Sequence, residues 1–162
     1  MTEQSAPPMP QPTAEHKLIQ DCAGKWNVAC KFYMDPSQPP METKATEIIE
    51  RVGAFWTVSK YETSFMGAPF IGRCQLGYEP HSKQWVSTWV DSMAPVLCVL
   101  RGTKQGDTLT MEGEFFSCMT NSVLKHRTTD KFISKDEHIF EMFAIMPDGT
   151  SCKMMTSHYK RA

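Results

Sequence analysis

The stretch Met66–Met93, MGAPFIGRCQLGYEPHSKQWVSTWVDSM, constrains the fold more than any other part of this chain. It reads as a strand, a turn around Pro80 and a second strand, with glycines where a curved sheet bends. In the second run Trp85, Ser87, Trp89 and Asp91 alternate with Val86, Thr88, Val90 and Ser92. Successive side chains of a strand point to opposite faces, so one face carries indoles and polar groups and the other carries mostly β-branched residues. Usable chemistry on both faces suits a barrel wall, with one side on a cavity and the other outside.

The same period of two recurs along the chain. Trp26, Val28, Cys30, Phe32 and Met34 alternate with Asn27, Ala29, Lys31 and Tyr33, until the DPSQPP segment at 35–40 breaks the run. Further runs cover 42–52, 55–65, 70–78, 84–92, 96–104, 108–116, 123–132, 138–146 and 151–160, separated by Gly, Pro or charged turns. Gln105-Gly106-Asp107 and Pro147-Asp148-Gly149 are hairpin turns by composition. About ten strands with short connections predict an all-β fold, an antiparallel up-and-down β-barrel whose closure removes both exposed edges. One short helix is expected ahead of the first strand. Thr13 caps it, Glu15 suits its positive end, Leu18, Ile19 and Cys22 form one apolar stripe, and Gly24 ends it. Residues 1–14, with four prolines, read as a disordered tail, and 15–162 as a single barrel domain.

At 162 residues the chain can bury roughly 70% of its unfolded surface without staples. Its 17 basic and 18 acidic residues are interspersed, which argues against nucleic acid as a partner. No apolar run approaches the roughly 18 residues that span a bilayer, and the N-terminus lacks a secretory pattern, so neither a membrane nor export is expected and the cytoplasm is the predicted address. Six scattered cysteines without a Cys-x-x-Cys pair read as reduced thiols, with neither a metal site nor a cofactor expected. Twelve methionines suit either a gap-filled core or an adaptable pocket.

Several segments together are similar to a known family. These are HKL at His16–Leu18, AGKW at Ala23–Trp26, MGAPFIGR at Met66–Arg73, LGYEP at Leu76–Pro80 and STWVDSM at Ser87–Met93. TLTMEGEF at Thr108–Phe115, HIFEMF followed by PDG, and YKR at Tyr159–Arg161 complete the set. From His16 to Arg161 the chain resembles the bacterial family catalogued as Domain of Unknown Function 1579. The resemblance implies a calycin-like (lipocalin-like) barrel and no particular activity. Where that family's pattern runs Asp-Pro-x-Thr-Gly, this chain has Ser117–Asn121, so the loop's acid is missing while Asn121 can still take the left-handed turn conformation.

No phosphate loop, His-Glu-x-x-His or Gly-x-Ser-x-Gly is present. The stripe Trp85, Ser87, Trp89, Asp91 is the candidate ligand face, with stacking surface from the indoles and polar anchoring from Ser87 and Asp91. It equally suits two indoles that fill the barrel beside an aspartate in a turn. Trp26 and Trp56 read as structural. Glu141 shares a face with Ile139, Phe143 and Ile145, and such a carboxylate must be paired, protonated or near water. Arg127, Lys153 or Tyr159 can partner it, in a cavity or in an ordinary ion pair. His16 and His81 read as solvated, and His126 and His138 lie on adjacent strands where they can meet. His158, in phase with Met154 and Thr156, and the Gly24-x-Trp26 opening resemble haem-binding barrels of the nitrobindin type.

The leading expectation is a small-molecule-binding barrel without intrinsic catalysis, taking a hydrophobic or aromatic ligand. A second is a proton-transfer enzyme of the isomerase, cyclase or lyase kind, using Glu141 and Asp91, with Arg127 and Tyr159 holding an anion. A third is haem binding through His158. The outer Val86-Thr88-Val90-Ser92 face is expected against the helix or against a second copy in a homodimer.

Overall fold

A computed structural model describes residues 7–162; the first six positions of the expected tail lie outside the described residues. Pro7–Pro12 are exposed and carry no helix or strand. The helix α1 spans Ala14–Asp21. Ten strands follow: β1 Gly24–Phe32, β2 Met41–Val52, β3 Trp56–Phe65, β4 Ala68–Glu79, β5 Gln84–Asp91, β6 Cys98–Gln105, β7 Thr108–Ser117, β8 Ser122–Ser134, β9 Glu137–Ile145 and β10 Ser151–Arg161. Each strand pairs antiparallel with its neighbour in sequence, and β1 closes on β10 through the register Val28↔Tyr159. The up-and-down barrel expected from the alternation is the fold. Met34 lies past the end of β1 and is exposed, because the Asp35–Pro40 segment turns the chain away first.

Alternation assigns the two walls. Trp26, Val28 and Cys30 are buried between exposed Lys25, Asn27, Ala29 and Lys31, so the even positions of β1 face inward. Cross-strand register carries that phase round the barrel: Glu47 on β2, Tyr61 on β3, Gly72 on β4 and Asp91 on β5 share one row with Trp26. In the other direction Tyr159 on β10, His138 on β9 and Phe132 on β8 share a row with Val28.

One barrel mouth is plugged. Ile19 of α1 has no exposed surface and packs with Trp85, Leu100, Leu109 and Met111. His16, expected in solvent, is buried because both ring nitrogens are used. Nδ1 accepts the Thr13 N–H at 2.9 Å, which leaves Nε2 to donate to the Tyr78 carbonyl at 3.0 Å. That histidine ties the start of the helix to the rim of the barrel. The last turn is held by Arg161, whose guanidinium donates to the carbonyls of Asp21, Ala23 and Lys135 and lies 4.4 Å from the Trp26 ring centroid. The Gly-x-Trp opening and the closing Tyr-x-Arg therefore form one clamp. Asn121 takes φ 52° in the β7–β8 turn, so asparagine does serve as the left-handed residue there.

Among the described residues no helix is long and apolar enough to cross a membrane.

Candidate functional site

The barrel interior has two unlike ends. Away from the helix it is aromatic: Phe32, Phe65, Phe70, Trp89 and Phe140 face inward yet keep part of their surface. Phe32 meets Phe65 edge-on at 5.2 Å, Tyr61 meets Trp89 at 5.8 Å, and Phe70 stacks on Trp89 at 6.4 Å. Gly72 makes room for the Trp89 indole, since a Cβ there would fall on the ring. Cys74 lies on the same inner face. It is half-buried by exposure, yet desolvation deep in the protein pushes its thiol far up.

Deeper in, the walls turn polar. Glu47 on β2 is 7% exposed and accepts a hydrogen bond from the Ser59 hydroxyl, with the Tyr159 phenol nearby. Burial raises its pKa, against the lowering effect of those two hydroxyls and of nearby His138. Asp130 on β8 also faces inward, with 21% of its side chain accessible, and its Oδ1 lies 2.6 Å from His138 Nδ1 on β9. The His138 ring stacks on Tyr159 at 4.3 Å and meets Trp26 edge-on at 4.9 Å. Cys30 joins the cluster through the Tyr61 hydroxyl at 2.8 Å and Ser157 at 3.2 Å. Burial drives the phenols of Tyr61 and Tyr159 well above their ordinary range, so both stay neutral donors. The arrangement offers an aromatic vestibule above a floor of two carboxyls, one imidazole and two phenols.

A family model described as "Protein of unknown function (DUF1579)" matches residues 11–161. The chain belongs to DUF1579. No curated protein matches it. Among solved structures this DUF1579 chain is similar to Rv2717c from M. tuberculosis, with TM-score 0.65 and 13% identity over 94% of this chain and 99% of that one. It is also similar to the S-type phycobiliprotein lyase CPES from Guillardia theta, with TM-score 0.59 and 12% identity over 93% and 98% of the two chains. At these identities the likeness is one of fold.

The residues singled out in the sequence divide between the two walls of this DUF1579 barrel. Trp85, Ser87, Trp89 and Asp91 all point inward, but to different depths. Trp85 is 2% exposed in the packing beneath α1, whereas Trp89 stands in the vestibule. Asp91 does not reach into the cavity as a free acid. It accepts the Trp89 indole N–H at 2.9 Å and the backbone N–H groups of Met93 and Ala94, which fixes the ring and closes a turn. Tyr159 is inward and borders the floor.

Three expected residues lie on the outer wall. Glu141 pairs with Lys153 and accepts from Thr156, as a surface ion pair. Arg127 pairs with Glu112 at 2.8 Å rather than with Glu141. His158 lies beside Glu137, Nε2 to Oε1 at 2.6 Å, on the outside. An acid–base pair of Glu141 and Asp91 is therefore split across the wall, and a haem inside the barrel cannot meet His158. His126 and His138 do not meet either: they pair with Ala144 and Phe132, and His126 stacks on Phe115 at 3.8 Å. The outward Val86 is buried. Trp56 lies over Gly77, the cross-strand partner of Val86, and shields it, while Val90 stays exposed.

The floor residues Glu47, Asp130 and His138 were not picked out as a site. One signal for Glu47 was present: Thr43, Ala45, Glu47 and Ile49 alternate with Glu42, Lys44, Thr46 and Ile48, which puts one carboxylate on the face lacking lysine. The meeting of Asp130 with His138 needed the β8–β9 register.

Proposed function

We propose that this protein binds a small hydrophobic or aromatic molecule in its barrel. One observation carries the reading: the inward-facing aromatics Phe70, Trp89 and Phe140 keep accessible surface, above polar groups that are themselves partly accessible. Apolar lining with a few convergent polar groups is the usual character of a ligand site. The fold shared with a phycobiliprotein lyase, and with EF1p2_mFAP2b solved with DFHBI bound (TM-score 0.50), supports an architecture compatible with small molecules. Six free cysteines support a reducing address such as the cytoplasm.

Gentle extraction of the purified full-length chain, followed by mass spectrometry, tests the reading. A stoichiometric aromatic or hydrophobic compound that quenches Trp89 fluorescence on rebinding is the expected result. Turnover of that compound on incubation would replace the binding reading with an enzymatic one. No retained compound, and no quenching by a panel of aromatic probes, would remove it.

A further inference from the structure

We propose that the Asp130–His138 pair accepts the proton of an acidic hydroxyl, phenolic or enolic, on the molecule held in the barrel, so that the cavity selects hydroxylated aromatics. This rests on the binding reading above and adds the chemistry of one end of the ligand.

A carboxylate only accepts hydrogen bonds, so the short contact to Asp130 places the His138 proton on Nδ1. Nε2 is then a lone-pair acceptor, and among the described residues it has no hydrogen-bond partner. No buried side-chain nitrogen or oxygen there lacks a partner, so Nε2 borders accessible space. Tyr159, stacked on the ring, and Trp26, edge-on to it, hold the imidazole plane in place. Phe140, an inward aromatic with surface to spare, is the direct cross-strand partner of Asp130. Phe140 and His138 lie two residues apart on the inner face of β9, so an aromatic ring lying against Phe140 is next to the row that carries the proton acceptor.

Acidic and neutral groups surround His138. The groups that face it are Asp130 on β8, Glu47 on β2 and the phenol of Tyr159 on β10. Arg161 lies over Trp26, Tyr61 and Cys30 are hydrogen-bonded to each other beyond Glu47, and Lys104 reaches toward the Phe132 ring. The carboxylate of Asp130 is placed to hydrogen-bond the imidazolium that forms, and among the described residues the nearby cations Arg161 and Lys104 lie over Trp26 and Phe132. In the transfer the ligand's O–H bond breaks, an N–H bond forms at Nε2, and the Nδ1–H bond is kept, still donating to Asp130. The product is a phenolate or enolate beside an imidazolium, and no other reactant is needed.

Two probes separate this step from binding alone. 4-Nitrophenol develops its yellow phenolate band when it loses its proton, and 4-nitroanisole has the same ring without the proton. At a pH where free 4-nitrophenol is mainly protonated, the wild-type protein should bind it with appearance of the phenolate band. His138→Gln and Asp130→Asn should abolish the band and weaken 4-nitrophenol about tenfold, the size of one charge-assisted hydrogen bond, while 4-nitroanisole binding changes less than about twofold. Retained 4-nitroanisole binding also shows that each variant is folded. Nitrophenol bound in its neutral form, or equal weakening of both probes, would overturn the proposal and leave His138 as a packing residue. Failure of both probes to bind the wild-type chain would overturn the binding reading as well.

Discussion

The two ends of the barrel are built from the same kinds of side chain and are covered differently. Beneath α1, Trp85, Leu100, Leu109 and Ile19 are each 5% exposed or less, and the helix is fastened at its start by His16 and just past its end by Arg161. At the other end Phe32, Phe65, Phe70, Trp89 and Phe140 are as apolar, yet among the described residues no helix lies over them and they keep part of their surface. Stability comes from removing apolar area from water, so an indole stabilises the fold only where something covers it. Uncovered aromatic surface inside a rigid wall is instead available to a ligand. Cover, rather than composition, separates the structural end from the end proposed to bind.

Replacing the two indoles of one strand is the most direct way to break this comparison. Trp85→Ala should cost about 3–5 kcal/mol, as for a fully packed aromatic, whereas Trp89→Ala should cost about half as much and lose ligand retention. Urea unfolding midpoints, read beside bound ligand, decide it; equal costs would mean that both ends are packed alike. Next in size is the clamp. Arg161→Lys cannot span three carbonyls and a ring, and should lose about 2 kcal/mol with earlier proteolysis near residues 20–24. Retained stability would show that burial of α1 alone closes the mouth.

A pH titration sharpens the picture of the floor. The folded-state pKa of Glu47 lies above its unfolded value, mainly through burial. Its contribution to stability is therefore complete below the ordinary carboxylate range and is lost as pH rises through the folded value. Glu47→Gln, which does not titrate, should lose less stability over that rise, the gap to wild type widening by up to about 1.4 kcal/mol per pH unit. Parallel stability–pH curves would place water or a cation beside Glu47. The smallest effect belongs to the outer wall. Glu141→Gln should change stability by less than about 1 kcal/mol and leave ligand retention intact, as expected for an exposed pair. Lost retention in that variant would return the site to the outside.

The contrast between Glu47 and Glu141 shows what the sequence of a strand leaves open. Both sit among apolar neighbours in alternating strands, and period two assigns each to one of two faces without saying which is inside. Apolar residues on the same face suggested an interior position for Glu141, but Ile139 and Phe143 are half-buried on the outer wall, and Glu141 stands beside Lys153 there. The phase of β10 was harder still. A register shift between Lys153 and Met155 interrupts the alternation leading to His158. For the Trp85–Asp91 stripe the face was legible, because four large or polar side chains in register oppose valines and small hydroxyls.

The sequence by itself determined the ten strands, their turns, the helix ahead of them and membership in a barrel family. Those features depend on local periodicity, on glycine and proline punctuation, and on motifs that each lie within one or two strands. The tertiary structure alone decided the floor. Glu47, Asp130 and His138 come from β2, β8 and β9, and only closure of β1 onto β10 brings the first within reach of the other two. A charged side chain's environment depends on which strands face it across the barrel. That is a property of the closed sheet, which no single strand carries.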